Sequence, residues 1–144
     1  MTKVVLDTNV LVSALWTPAG NPAAIVGLIL SDRIVPCFDY RILDEYLAVL
    51  NRPRLAFPAG QVGRLLSEIT ERGLSVTAVP SEIDMPDESD RKFYEVAKFC
   101  GAYLVTGNAR HYPDDPCIIS PACFLGTFNT GEFPSTYPCK QSSP

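Results

Sequence analysis

The sequence lacks the residues of several common kinds of catalytic or binding site. It has a single histidine, His111, so a nuclease site with two histidines for general acid–base catalysis is excluded. Its five cysteines include no Cys-x-x-Cys pair, and their spacing is typical of neither a zinc ribbon nor a disulfide framework. A Gly-rich phosphate-binding loop is also absent.

Long apolar runs and an excess of basic residues are missing as well. No apolar stretch approaches the length of a membrane span, and Asp7 interrupts the apolar run that follows Lys3, unlike in a signal peptide. We therefore expect a cytoplasmic protein with no membrane contact. The net charge of −4 argues against a strongly basic surface that coats nucleic acid. A metal-dependent nuclease stays compatible with it, because bound cations change the local charge of an acidic pocket.

The composition indicates one globular domain followed by a tail. The chain has 144 residues, of which 47% are hydrophobic and 19% charged, enough to bury a core of ordinary size. From Asn129 onward Pro, Ser, Thr and Gly dominate and the apolar pattern fades. We predict a domain over residues 1–128 and a loosely ordered tail over residues 129–144.

Apolar runs alternate with helical patterns along the domain. Strands are predicted at residues 4–6, 34–38, 76–79, 103–106 and 117–119, and helices near residues 22–30, 40–50, 59–72 and 90–100. Asn21 is the expected N-cap of the first of these helices. This alternation favours an α/β fold with three layers, α/β/α, around a central parallel sheet. Ligands bind such sheets at the carboxyl ends of the strands.

Acidic and amide residues gather around that edge of the predicted sheet. Asp7 ends the first strand, where an unpaired charge is costly to bury, and Asn108 follows the strand at 103–106. Asp87 and Asp90 belong to the acidic loop that opens the helix at 90–100, and Asp90 lies near the edge of its apolar stripe. A local turn at Asp7 and helix capping at Asp87 and Asp90 are alternatives that need no ligand.

Several other side chains keep two interpretations. Glu45 and Asp44 flank the apolar stripe of the helix at 40–50 at nearly equal angles, so periodicity does not choose between them. His111 either lines a substrate cleft or has a structural role. Three cations either contact phosphate oxygens or are simply solvated, namely Arg91, Lys92 and Arg110. Trp16 and Phe57 belong either to the core or to a dimer interface.

Four segments of the chain resemble the PIN-domain family. They are VLDTNV at residues 5–10, LDEY at 43–46, PDESDRKF at 86–93 and LVTGN at 104–108. They occur in the order and at the spacings of that family, and the likeness extends over about residues 3 to 128. It is greatest to the branch that contains the toxins of type II toxin–antitoxin pairs.

The resemblance implies a metal-dependent ribonuclease with a site of four positions. Asp7, Glu45 and Asp90 match the acidic positions of the family, and Asn108 stands where an Asp is common. On this basis we take these four residues as catalytic, with Asp7 and Asp90 as metal ligands. Three further residues are expected to assist or to orient the carboxylates: Asn9, Asp87 and Thr106.

The expected cofactor is Mg²⁺ or Mn²⁺, because clustered oxygen ligands favour these ions over zinc. The expected reaction is hydrolysis of RNA phosphodiester bonds by an activated water. The resemblance also implies an antitoxin protein as partner, and a homo-oligomer is possible for this family. The amide at Asn108 removes one negative charge from the site, which leaves open whether one or two metals bind.

Two alternatives to an active nuclease remain open. A PIN-like module that binds nucleic acid or protein with weak catalysis is favoured by the amide at Asn108. A phosphoryl-transfer or receiver-like domain also places Asp at strand ends. The aspartyl phosphatase pattern, however, needs a second Asp two residues after the first, and Asn9 occupies that position.

Overall fold

Five parallel strands form the sheet in the computed structural model, which describes residues 1–131. The strands are β1 (Lys3–Leu6), β2 (Val35–Phe38), β3 (Leu74–Ser75), β4 (Tyr103–Val105) and β5 (Ile118–Ile119). Their order across the sheet is β3-β2-β1-β4-β5, so β1 is central. Leu6 pairs with Val105, which brings the carboxyl ends of β1 and β4 side by side.

Helices cover both faces of this sheet, which confirms the predicted three-layer α/β/α fold. They are α1 (Thr8–Trp16), α2 (Asn21–Leu30), α3 (Tyr40–Leu50), α4 (Ala59–Arg72), α5 (Arg91–Cys100) and α6 (Pro121–Asn129). Short 3₁₀ turns lie at Pro53–Leu55, Glu88–Asp90 and Ala109–His111. The all-parallel sheet is buried on both faces, as β1 shows with Val4, Val5 and Leu6 in the core.

Helices α1 and α6 were not predicted from the sequence. The α1 segment TNVLVSALW is apolar over most of its surface, so it lacks the polar face that reveals a helical period. Asp7 is its N-cap. Helix α2 begins one residue earlier than expected, and its N-cap is Gly20 and not Asn21. Of the predicted tail, residues 132–144 lie outside the described part of the chain, so its loose order stays a prediction.

The strand predicted at 76–79 was wrong, because the edge strand β3 is only Leu74–Ser75 and starts directly after α4. Gly73 makes this short connection possible. A Cβ at Gly73 would lie 2.5 Å from the carbonyl oxygen of Pro36 and 2.6 Å from that of Ile69. Only glycine allows the backbone to pass β2 at this distance.

A buried tyrosine ties α3 to the end of the central strand. The Tyr46 hydroxyl donates a hydrogen bond of 2.5 Å to the carbonyl oxygen of Leu6, the residue before Asp7. Tyr46 is only 2% exposed. Burial, and then the charges of Asp7 and Glu45, raise its pKa well above the ordinary value, so the hydroxyl keeps its proton and remains a donor.

Among the described residues no single helix is long and apolar enough to cross a membrane. Helices α1 and α2 reach the necessary length and apolar content only as a pair, bent by 101°. Both helices contribute buried residues to the core of the domain, including Val10, Leu11, Ile25 and Ile29.

We expect Tyr46→Phe to lower the free energy of unfolding by about 1–2 kcal/mol, because the buried Leu6 carbonyl loses its side-chain donor. Urea denaturation measures the change. Tyr40→Phe is the matched control, since Tyr40 lies on the same helix but is 72% exposed. Equal effects of the two substitutions would contradict the assigned role of the hydrogen bond.

Candidate active site

Asp7 is buried at the carboxyl end of β1 and is held by two hydroxyl groups. Its Oδ2 accepts hydrogen bonds from Thr106 Oγ1 at 2.9 Å and from the Tyr112 hydroxyl at 2.8 Å. Its Oδ1 has only a long 3.4 Å contact with the backbone N of Asn9, the capping contact of α1. The carboxylate, 6% exposed, thus combines a contact with the backbone two residues on, which the local-turn alternative predicted, with a tertiary hydrogen-bond network.

Tyr112 was missed by the sequence analysis. It is buried, and its contact with Asp7 spans 105 residues of chain, so no local pattern reveals it. Burial first, and then the nearby charges of Asp7 and Asp90, raise the pKa of Tyr112 far above its ordinary value. The phenol therefore keeps its proton at neutral pH and donates a hydrogen bond to Asp7.

The turn after β4 brings Asn108 to the same edge of the sheet. Thr106 Oγ1 accepts a hydrogen bond of 3.0 Å from the backbone N of Asn108. The side chain of Asn9 accepts a hydrogen bond from the backbone N of Gly107 at 3.3 Å, so it fixes this turn, and within residues 1–131 it forms no hydrogen bond with a carboxylate. The amide of Asn108 lies 2.9 Å from His111 Nε2.

Asp90 is the least satisfied polar group of the site. It is 9% exposed, and its Oδ2 has no hydrogen-bond partner within residues 1–131; His111 Nδ1 lies 3.4 Å away. Burial, followed by the negative charges of Asp7 and Asp87, raises the pKa of Asp90 to about 6. A carboxylate buried without a donor is costly unless a cation approaches it.

Asp87 and His111 complete a cluster with Asp90. Asp87 caps the 3₁₀ turn Glu88–Asp90 through the backbone N of Ser89 at 3.0 Å, as the capping alternative predicted. The ligand atoms of Asp87, Asp90 and His111 all lie within 4.8 Å of one another. Asp7 is outside this group, but it is near enough for its charge to raise the pKa of Asp90.

Glu45 faces the site, whereas Asp44 is exposed on the other side of α3. The structure thereby separates two residues that periodicity could not. Glu45 Oε2 accepts a hydrogen bond from Thr8 Oγ1, and Oε1 forms an ion pair of 2.7 Å with Lys92 Nζ. Lys92 therefore balances the charge of Glu45. Asp90 Oδ2, in contrast, accepts no hydrogen bond from a cation among the described residues.

The side chains present fit a divalent cation. The donors are carboxylate oxygens and one imidazole, and the unpartnered buried Oδ2 of Asp90 marks the point of greatest need for positive charge. The residues that could hold such an ion are Asp87, Asp90 and His111, with Asp7 adjacent. The imidazole widens the range of suitable metals beyond that of an all-oxygen site. Its position three residues after Asn108 is the sequence signal that could have placed it here.

A groove of about 640 Å³ runs from Asp7 along α1. Asp7, Glu45 and Ser89 line it, as do Trp16 at the far end of α1 and the arginines Arg52 and Arg54. Neither arginine was among the candidate residues predicted from the sequence. Of the candidate cations, Arg91 pairs with Glu88 and Lys92 pairs with Glu45.

Comparisons with known proteins agree with this geometry. The family model described as "PIN domain" matches residues 3–110. A relative in Methanocaldococcus jannaschii, named "Uncharacterized protein MJ1680", is 37% identical over 109 residues, which cover 74% of this chain and 70% of the relative.

We expect Asp90→Asn to stabilise the metal-free protein at pH 8 by about 3 kcal/mol, as a shift of one unit in pKa corresponds to about 1.4 kcal/mol. The pKa of Asp90 is raised by folding from 3.8 to about 6. Its protonated form therefore stabilises the fold below about pH 4, and this contribution is lost as the pH rises through 6. Urea denaturation in EDTA at pH 4 and pH 8 measures the difference.

The two variants should converge near pH 4, where the wild-type carboxyl is also neutral. Asp44→Asn, an exposed carboxylate on α3, is the matched control and should change little at either pH. If the Asp90→Asn protein were less stable than wild type at pH 8, the claim that the unpartnered Asp90 carboxylate destabilises the fold would be refuted.

Proposed function

The chain belongs to the PIN-domain family, and from this membership we propose that it is a metal-dependent endoribonuclease that hydrolyses RNA phosphodiester bonds. PIN domains are generally nucleases. The observation that carries the proposal is the buried Asp90 carboxylate, whose Oδ2 has no hydrogen-bond partner among residues 1–131 and which lies beside Asp87 and His111. A site of this kind suits a cation and a phosphate better than a neutral ligand.

In the proposed mechanism the carboxylates hold and orient Mg²⁺ or Mn²⁺. When bound, this cation supplies positive charge to the scissile phosphate and favours ionisation of an attacking water. Thr106 and Tyr112 hold Oδ2 of Asp7, which leaves Oδ1 for the ion. Asp90 would be the second ligand, with Asp87 and His111 at hand to complete the set.

Lys92 and Glu45 have linked roles in the proposal. Lys92 Nζ pairs with Glu45 at 2.7 Å at the edge of the groove. A phosphate that binds there can form an ion pair with Lys92 in place of Glu45, because a Lys side chain is flexible and binds phosphate as a point charge. Glu45 would then be released to act as an acidic residue of the site, and Asn108 would offer a neutral oxygen.

The role as toxin of a toxin–antitoxin pair is a further part of the proposal and depends on the family resemblance. So do the antitoxin partner and the cytoplasmic location. The toxin role requires a small gene immediately upstream whose product binds this chain and suppresses its ribonuclease activity.

One observation favours a second candidate function, a module that binds nucleic acid with weak catalysis. The Lys92–Glu45 ion pair and the amide at Asn108 together leave fewer free negative charges for a metal than four carboxylates would. The cleavage and metal-binding experiments below separate the two functions.

We expect the protein to cleave a single-stranded RNA oligonucleotide with Mg²⁺ or Mn²⁺ and to lose activity in EDTA. Asp7→Asn and Asp90→Asn should each lower the rate about 100-fold or more, since a metal ligand contributes several kcal/mol to the transition state. Gel analysis of labelled RNA measures the rates, and Asp44→Asn should cleave like wild type. Equal activity of wild type and Asp7→Asn would reject the function and identify a contaminating nuclease.

We expect Asn108→Asp to tighten binding of Mn²⁺ about severalfold, because it adds one negative charge beside the cluster. Isothermal titration calorimetry measures the affinity. Gln61→Glu makes the same change of amide to carboxylate at an exposed position of α4 and should leave the affinity unchanged. An unchanged affinity in Asn108→Asp would mean that Asn108 does not lie near the metal.

A further inference from the structure

We propose that the groove along α1 binds single-stranded RNA, with a base stacked on Trp16 and phosphates held by Arg52 and Arg54. This surface deepens the proposed function, on which it depends, because it leads a strand from the arginines to Asp7 and Glu45. The proposal is carried by the exposure of Trp16, the charge of the two arginines and the continuity of the groove.

Trp16 is a large aromatic side chain presented to solvent at the end of α1. It is 60% exposed, although tryptophan is ordinarily well buried on average. Its ring lies 6.0 Å from that of Phe57, tilted by 58°, so Phe57 supports one side of the indole and the remainder faces the groove. An indole held in this way offers a stacking platform that accepts any base.

Arg52 and Arg54 bring positive charge to the same stretch of the groove. Both are exposed, and neither forms an ion pair within the described residues. Other arginines are matched with carboxylates, as Arg41 is with Asp39 and Glu95. Pro53 stands between the two and begins the 3₁₀ turn Pro53–Leu55, which limits the backbone freedom of this segment. Guanidinium groups are the preferred partners of phosphate oxygens.

The distance between the two ends suits a short run of nucleotides. Helix α1 has 9 residues, with Asp7 as its N-cap and Trp16 as its last residue. At 1.5 Å per residue, Asp7 and Trp16 are separated by about 13 Å along the helix axis. A strand with one base on Trp16 can therefore place a nearby phosphodiester beside Asp7 and Asp90.

The geometry selects a single-stranded nucleic acid over a duplex and over a second copy of this chain, and the choice of RNA follows from the proposed function. A base reaches the face of an indole only when it is unstacked from a duplex, as in single-stranded RNA. A second copy of this acidic chain would bring net negative charge to Glu45 and Asp7, with no phosphate for the arginines. A polyanion with unpaired bases fits both features of this part of the groove, since its bases can stack on Trp16 and its phosphates can bind Arg52 and Arg54.

The sequence contains one tryptophan, so fluorescence excited at a wavelength that tyrosine does not absorb reports on Trp16 alone. We expect a saturable quenching of this fluorescence when an unlabelled single-stranded RNA of mixed sequence is added in EDTA, where no cleavage occurs. The same sequence annealed into a duplex should quench much less. Fluorescence that varies with protein concentration without RNA would instead identify a second copy as occupant and overturn the proposal.

Variants test the two contacts separately by anisotropy of labelled RNA in EDTA. Trp16→Ala should weaken binding by about 5- to 100-fold, the range that stacking of one base corresponds to, and Trp16→Phe should retain most of the affinity. Arg52→Ala and Arg54→Ala should each reduce the slope of log K against log salt by about 0.7. Arg64→Ala removes an exposed charge of α4 outside the groove and should not change the slope.

These outcomes distinguish failure of the groove from failure of the nuclease. Unchanged affinity in Trp16→Ala, with a circular dichroism spectrum like that of wild type, overturns the stacking site whether or not the protein cleaves RNA. Equal slopes for Arg54→Ala and Arg64→Ala overturn the phosphate contacts. Intact binding in EDTA without cleavage in Mg²⁺ or Mn²⁺ supports the groove and rejects the proposed nuclease activity instead.

Discussion

The site depends on one constraint, the burial of the Asp7 carboxylate at the end of the central strand. Its Oδ2 is held by Thr106, from the end of β4, and by Tyr112, which follows the Ala109–His111 turn. These two hydrogen bonds fasten the chain around residues 106–112 against β1, and with it the neighbouring Asn108 and His111. The charge that they stabilise also acts outward, since Asp7 is among the groups that raise the pKa of Asp90. Structure and electrostatics at this edge of the sheet therefore have a common origin.

Charge is divided unequally across the groove, and this division explains how one site could hold both a cation and a polyanion. The acidic end has one carboxylate balanced by Lys92 and another, Asp90, left without a donor for Oδ2 in residues 1–131. The basic end has Arg52 and Arg54 beside an exposed indole. Without a bound cation, a nucleic acid would be repelled from the acidic end. The basic end would attract it whether or not a cation is bound. Net charge, which is −4, conceals this local separation.

Much of the fold could be predicted from the sequence, and the rest depends on contacts that the sequence does not display. The bounds of α3 and α4 were predicted to the residue because both helices have a distinct apolar stripe. Helix α1 was missed because it is apolar on most sides. The edge rule for parallel sheets brought Asp7 and Asn108 together correctly. The Tyr112–Asp7 hydrogen bond and the Lys92–Glu45 ion pair could not be predicted, since each joins residues far apart in the chain.

Helix α1, which the sequence pattern concealed, determines how the two ends of the groove relate. Asp7 caps its first turn and Trp16 is its last residue, so one rigid element of 9 residues fixes both. Capping and metal binding would both use Oδ1 of Asp7, because Oδ2 is committed to Thr106 and Tyr112. A cation at Oδ1 would displace only the long capping contact with Asn9. The helix would lose little from this exchange, since backbone contacts such as that from Val10 N to the Asp7 carbonyl at 2.9 Å remain.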